Sequence, residues 1–277
     1  MSADDVLENG RFSSDATLQQ VARGEATLQR GAQGDAVLLV QQALNALGFN
    51  LRQYVLGGRL RGGADGAFGP QTETALRNFQ VHAERFFRDA PINGILDGVT
   101  LQALDRLSPP PGRSAWEAAE SVKIPGHQWG GDPGKGLRVV VVKREHRTFL
   151  FDRGGRLTGI FPNATGAQGT ATDPGLKMVV GKLEQRDAEA VGRQLWNDPA
   201  AFGVRIINLS WADGRSSGEE LHGTNHPDQM GMNVSHGCVR HYNEDIVQIF
   251  GQVALRDRVA IVEWIDDPAL SLPAPIA

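Results

Sequence analysis

Apolar positions follow a helical period in the first part of this chain and a strand-like period in the second. Val37, Leu38, Val40, Leu44 and Leu47 recur at helical spacing, with Asp35 as the expected N-cap and Gly48 as the stop. The turn Ala64-Asp65-Gly66-Ala67-Phe68-Gly69 sets Pro70 at the start of a second helix, with Ala75, Leu76 and Phe79 as its buried stripe. Asn93-Gly94-Ile95-Leu96-Asp97-Gly98 repeats that logic and leads into Leu101 and Leu104. These patterns predict a compact three-helix domain over residues 28–107, interrupted by a Gly- and Arg-rich insertion at 51–63. A weakly structured or helical leader is expected over residues 1–27.

The run Ser108-Pro109-Pro110-Pro111-Gly112-Arg113-Ser114 excludes helix interior and strand pairing, so a stiff linker is expected over 108–122. Beyond it the apolar runs shorten and fill with β-branched and aromatic residues: Leu137–Val142, Thr148–Phe151, Leu157–Phe161, Leu176–Val180, Val204–Leu209 and Val259–Trp264. A mainly β domain is therefore predicted over 123–266, followed by a tail at 267–277; the chain is multidomain, α then β. A helix-like insertion at 184–200 is read either as a cover for a groove or as a surface helix. Asn243 is expected to cap a short helix carrying Glu244 and Asp245 in its first turn.

A length of 277 residues accommodates two such domains, and a net charge of −4 argues against an obligate nucleic-acid binder. No run approaches the ~18 apolar residues of a membrane span. The start Met1-Ser2-Ala3-Asp4-Asp5-Val6 has neither the basic nor the apolar region of a secretory signal.

Chemistry concentrates around Cys238, the only cysteine. A lone cysteine is usually apolar filler, but Ser235, His236, Gly237 and Arg240 are poor company for a core strand. A thiol titrating near ~8.5 needs a base or cation to react at neutral pH, and His222, His236 and Arg240 are the candidates. His222, arriving from another element, is the better base by geometry than His236, two positions from the sulfur. Gly237 removes bulk and lets amide N–H groups converge on an oxyanion.

The two elements His222-Gly223-Thr224 and Ser235-His236-Gly237-Cys238-Val239-Arg240, sixteen positions apart (238 − 222), resemble the signature of the L,D-transpeptidase catalytic domain, the YkuD-like fold. The resemblance runs from about Leu137 to about Trp264. It implies Cys238 as the acylated nucleophile, His222 as its base and the Gly223 carbonyl as the group orienting the imidazole. Ser235 and His236 would support the pocket, Arg240 would anchor substrate or loop, and amides around Gly237 and Cys238 would form the oxyanion hole. Thr224 and Asn233 are carried as further substrate-side candidates. The chain reads Thr172-Asp173-Pro174-Gly175 where such proteins usually have Thr-Pro-x-Gly. Residues 28–107, with Asp65-Gly66-x-Phe68-Gly69, Thr72, Ala75 and Phe79-Gln80, resemble a peptidoglycan-binding domain.

These resemblances imply an acyltransferase working through a Cys thioester on peptidoglycan stem peptides, with no cofactor and no metal. The outcome is left open between cross-linking, D-amino-acid exchange and L,D-carboxypeptidase action. Action in the periplasm or cell wall is expected, reached through a removed signal or by injection, which would make the chain an antibacterial effector and a secretion-system component. A non-catalytic wall-binding protein is one alternative. A zinc amidase or carboxypeptidase is another, because His222, His226, His236, His241 and Cys238 are all potential ligands. Gly223 and Pro227 disfavour the helix that an i, i+4 pair would need. Trp129, Trp196 and Trp211 are read as groove-lining or core residues.

Overall fold

The computed structural model describes residues 7–87, 91–118 and 136–265, and the chain divides after Ala118 into two compact units. Trp129, the tail 267–277 and residues 119–122 of the expected linker lie outside the described residues.

The first unit contains α1 (Ala16–Ala22), α2 (Asp35–Ala46), the hairpin β1 (Gln53–Leu56) and β2 (Arg59–Gly62), α3 (Pro70–Ala83), α4 (Gly98–Leu107) and the short α5 (Ala115–Ala118). The predicted stripes of α2, α3 and α4 meet in its core, where Val37, Val40, Leu44, Leu76, Phe79, Leu101 and Leu104 are all buried. Two buried glutamines pin the two turns in the same way. Gln41 donates to Asp65 Oδ1, the Ala67 carbonyl and Thr72 Oγ1, and accepts from the Gly66 amide. Gln80 donates to Asn93 Oδ1, the Ile95 carbonyl and Thr100 Oγ1, and accepts from the Asn93 and Gly94 amides. Gly66 and Gly94 sit at φ +76° and +75°, which explains glycine at both tips. The insertion 51–63 is the hairpin, turned by Gly57 and Gly58.

Three sequence expectations are resolved or corrected here. Of the two readings of the leader, residues 7–27 follow the helical one and form a packed element rather than a weakly structured one: Phe12, Leu18 and Val21 are buried, Asp15 caps α1 through the Leu18 amide, and the Glu8 and Asn9 amides donate to the Asp105 carboxylate. That apolar content is what holds the segment on α4. Residues 108–118 also pack on this unit, with Ser108, Ser114 and Ala115 buried. Asp35 is the first residue of α2 and Gly34, at φ +119°, takes the cap position.

The second unit is built on an eight-stranded sheet. Its strands are β3 (Leu137–Val142), β4 (Arg147–Phe151), β5 (Leu157–Pro162), β7 (Gly175–Leu183), β8 (Ile206–Trp211), β9 (Ser216–His222), β11 (Val239–Arg240) and β12 (Arg258–Val262); β6 (Thr165–Gly166) and β10 (Asn233–Ser235) pair separately. The order across the sheet is β11-β9-β8-β7-β12-β3-β4-β5. The pairs β11–β9 and β12–β3 are parallel and the others antiparallel. Helix α7 (Asn243–Gln252) covers one face, where Ile246 and Ile249 join Val139, Val141, Leu150, Val179, Ile207, Leu209, Leu221 and Ile261 in the core. Burying so many branched aliphatics, at roughly 1.5–3 kcal/mol each, drives this assembly. Helix α6 (Gln185–Trp196) is the predicted insertion; it packs Ala188 with Phe202 and Ile206 and ends at Asn197 in the left-handed conformation. Asn243 does not cap α7. Tyr242 holds that position, and Asn243 accepts from the Thr224 amide and donates to the Thr224 carbonyl.

Trp211 lies in neither groove nor apolar core: its ring lies 3.2 Å from Lys177 Nζ, which also pairs with the buried Glu219 carboxylate at 2.9 Å.

Candidate active site

Two adjacent parallel strands bring the chemistry together. The register Val239↔Leu221 and Arg240↔His222 sets Cys238, just before β11, beside Glu220 on β9. Asn243, clasping Thr224 from the start of α7, holds the Gly223-Thr224 loop that follows β9. Gly223 is enforced by space, because a Cβ there would collide with Asn243 Oδ1 and lie 3.0 Å from the Val204 amide nitrogen. Gly237 is enforced by its backbone at φ +112°.

His222 is buried, with the Phe202 ring edge-on at 4.8 Å. Its Nδ1 lies 2.5 Å from the Gly223 carbonyl, so Nδ1 carries the proton and Nε2 is left with its lone pair. Burial pushes this imidazole down to about 4, against which the Gly223 hydrogen bond works. The Cys238 thiol is pushed up to about 12, first by burial and then by the charge of Glu220; the Glu220 amide and Arg240 pull the other way. At neutral pH the site therefore rests as thiol and neutral imidazole. The thiol's hydrogen bond runs to Glu220 Oε2, at 3.9 Å. Burial in turn raises the Glu220 carboxyl.

Cys238, His222, Glu220, His236, Arg240 and Trp196 line one cavity of about 490 Å³, to which Ser235 also contributes. His236 is exposed and lies against the Trp196 ring, centroids 5.2 Å apart, so α6 forms one wall of this cavity. Ser235 Oγ donates to the Cys238 carbonyl at 2.5 Å and accepts from the Gly237 amide at 3.2 Å, which fixes the loop carrying the sulfur. Arg240 donates to Gln229 Oε1. Thr224 and Asn233 do not line this cavity. Thr224 accepts from the His226 amide, and Asn233 accepts from the Thr165 hydroxyl on β6. His226 does line it, whereas His241 is buried behind it, its Nε2 2.9 Å from Thr148 Oγ1. Among the described residues no group of three His, Cys, Asp or Glu could hold a metal ion.

Glu220 is the site residue that sequence reasoning misses. It stands two positions before His222 with no motif of its own, and only the β9–β11 register sets it opposite the sulfur.

Three buried histidines carry a consequence for stability. Burial lowers His146 and His222 to about 4 and His241 to about 3. An unfolded chain would bind protons at these positions from about pH 6.5 downward, while the folded one does not. The stabilisation is thus complete above about pH 6.5 and is lost as pH falls towards 4, at up to about 1.4 kcal/mol per pH unit per histidine. Glu220, raised, works in the opposite sense but is one group against three. Urea denaturation of the second unit at pH 7.5 and pH 5 should show the midpoint falling markedly; an unchanged midpoint would mean the rings are protonated when folded.

Against known proteins, residues 136–261 match the family model described as L,D-transpeptidase catalytic domain, and residues 33–104 match "Putative peptidoglycan binding domain". The chain is 27% identical over 136 residues to "Putative L,D-transpeptidase YqjB" of Bacillus subtilis, covering 48% of this chain and 76% of that protein. It is 28% identical over 162 residues to "Putative L,D-transpeptidase YkuD" of Bacillus licheniformis, covering 58% and 86%. Among solved structures, the L,D-transpeptidase of Xylanimonas cellulosilytica aligns over 84% of this chain and 96% of that one, at 21% identity and a TM-score of 0.47.

Proposed function

We propose that this chain, which joins a peptidoglycan-binding domain of residues 33–104 to an L,D-transpeptidase catalytic domain of residues 136–261, forms a thioester on Cys238 with peptidoglycan stem peptides. What supports this reading above all is that Cys238 and His222 open into one cavity, with Nδ1 of His222 already committed to a carbonyl. Nε2 is then the basic atom available to take the thiol proton as sulfur attacks the carbonyl before a terminal D-residue. The C–S bond forms as the carbonyl π pair moves to oxygen; collapse expels the D-residue's amine, which takes the proton from His222. An amine or water then attacks the thioester and releases the thiol. The Gly237 amide is engaged by Ser235 Oγ, so the Cys238 amide is the donor assigned to the oxyanion. Arg240, near the sulfur, adds positive potential as charge develops.

Thiol and imidazole are so far apart in affinity for the proton that transfer must accompany attack. Burial, and after it the charge of Glu220, enforces this by destabilising the thiolate until substrate enters. Glu220→Gln should lower the thiol's titration, speeding iodoacetamide alkylation at pH 8–9 about tenfold for each unit of the fall. An unaltered rate-versus-pH curve would remove Glu220 from this role.

Incubation with purified sacculi or soluble tetrapeptide muropeptides, followed by mass analysis, distinguishes cross-linked, D-amino-acid-exchanged and trimmed products. Intact-mass analysis with a carbapenem reports acylation directly, and absence of both products and adduct would return the chain to a non-catalytic wall-binding role. Activity in the wall or periplasm, and delivery as an effector, are tested by muropeptide profiles from cells expressing the chain with and without an added periplasmic signal.

A further inference from the structure

In the first unit, a cavity of about 410 Å³ lies between the loop carrying Arg11, the end of α2 and the segment leading into α5. Arg11, Arg52, Arg113, Asn45, Trp116 and Glu117 are among its lining residues. Part of this lining, Arg11 and the stretch from Gly112 to Glu117, falls outside the residues matched as peptidoglycan-binding.

Arg11 is the unusual member. It is only 9% exposed, and its Nε is buried with no hydrogen-bond partner among the described residues. Among those residues no carboxylate forms an ion pair with it. Its backbone is held: the Arg11 amide donates to Asn9 Oδ1, and Asn9 is tied to Asp105 and to the Ser108 carbonyl. A buried, uncompensated guanidinium is expensive to keep in a fold, and packing alone would favour an apolar side chain of that length. The arrangement is explained if the missing anion is a ligand. A guanidinium fork matches a planar carboxylate with two parallel hydrogen bonds. Arg52 and Arg113 add to the positive charge of the lining and Glu117 offsets part of it, so the cavity as a whole favours an anion. The side-chain amide of Asn45 and the half-buried Trp116 give the walls both polar and apolar character.

We propose that this cavity is a carboxylate-binding subsite, that Arg11 is its anchor, and that its occupant is a carboxylate of a peptidoglycan fragment. The choice of occupant rests on the wall-acting reading above; the anion site itself does not.

The test uses the full chain carrying Cys238→Ala, with and without Arg11→Met, titrated calorimetrically with muropeptides, with the same muropeptides after carboxyl amidation, and with inorganic phosphate. The expected result is binding of the unmodified muropeptides that weakens about 10- to 100-fold on Arg11→Met and on amidation. The free Arg11→Met chain should melt no lower than its parent, because an unpaired buried charge has been removed. Equal muropeptide affinity with and without the Arg11→Met substitution would overturn the proposal. So would a large fall in melting temperature with affinity unchanged, which would make Arg11 structural. Phosphate binding that depends on Arg11 while muropeptides fail would overturn the carboxylate assignment and the wall ligand, leaving the catalytic reading of the second unit untouched.

Discussion

Cys238→Ala is expected to abolish the proposed thioester: intact-mass analysis after incubation with a carbapenem should find no adduct, and turnover of tetrapeptide substrates should fall by about 10⁴- to 10⁶-fold, as for removal of a covalent nucleophile elsewhere. The size follows from the site's construction. No second thiol exists in the chain. The one hydroxyl lining the same loop, Ser235, is committed on both sides, donating to the Cys238 carbonyl and accepting from the Gly237 amide. Folding should be unaffected, since the sulfur is half-buried in a cavity wall and its hydrogen bond to Glu220 is long. Residual turnover above a hundredth of the parent's would rule out the thioester route.

His222→Gln has the second-largest expected effect, a loss of about 10²- to 10⁴-fold in acylation rate with substrate affinity little changed. The substitution removes the basic ring nitrogen, and the thiol, pushed up to about 12, is left with only its long contact to the Glu220 carboxylate. His236→Ala should cost less than about tenfold, because that ring is exposed against Trp196 and acts as cavity wall. The pH profile separates the roles further. With the imidazole held down to about 4, the base is unprotonated throughout the neutral range, so the acid limb of kcat/KM should fall well below pH 6.5. A limb at 6.5 that disappears in His236→Ala, with His222→Gln nearly active, would exchange the two assignments.

Much of this architecture is readable in the sequence where one force dominates. The branched runs of β3, β4, β5, β8 and β12 announce themselves because both faces are covered, and the two glutamine-pinned turns of the first unit show through their Asp-Gly and Asn-Gly dipeptides. Strand β9 does not. Its sequence Ser216-Ser217-Gly218-Glu219-Glu220-Leu221-His222 is polar because Glu219 pairs with Lys177 and Glu220 faces the thiol, so function and an ion pair erase the apolar alternation. Glu220 is hidden for the same reason, since register is a property of two strands and neither contains it alone. The segment through α1 misleads by its acidic start, although Leu7, Phe12, Leu18 and Val21 carry the signal of a packed element. Asn243 reads by its type as the cap of the nearest helix terminus, while its partner Thr224 lies nineteen residues back.

The placement of β12 bears on how the protein can be made. It is the last of the described strands to leave the ribosome, yet it lies in the middle of the sheet, parallel to β3 and antiparallel to β7. Until it arrives, the hairpins β3-β4-β5 and β7-β8-β9 are separate ribbons with raw edges, and their joining closes a loop of more than a hundred residues. A nascent chain halted between Arg240 and Arg258 therefore holds the whole candidate motif but no continuous platform to stiffen it. Chaperone or protease sampling should therefore discriminate sharply at that point, between two open ribbons and one closed sheet.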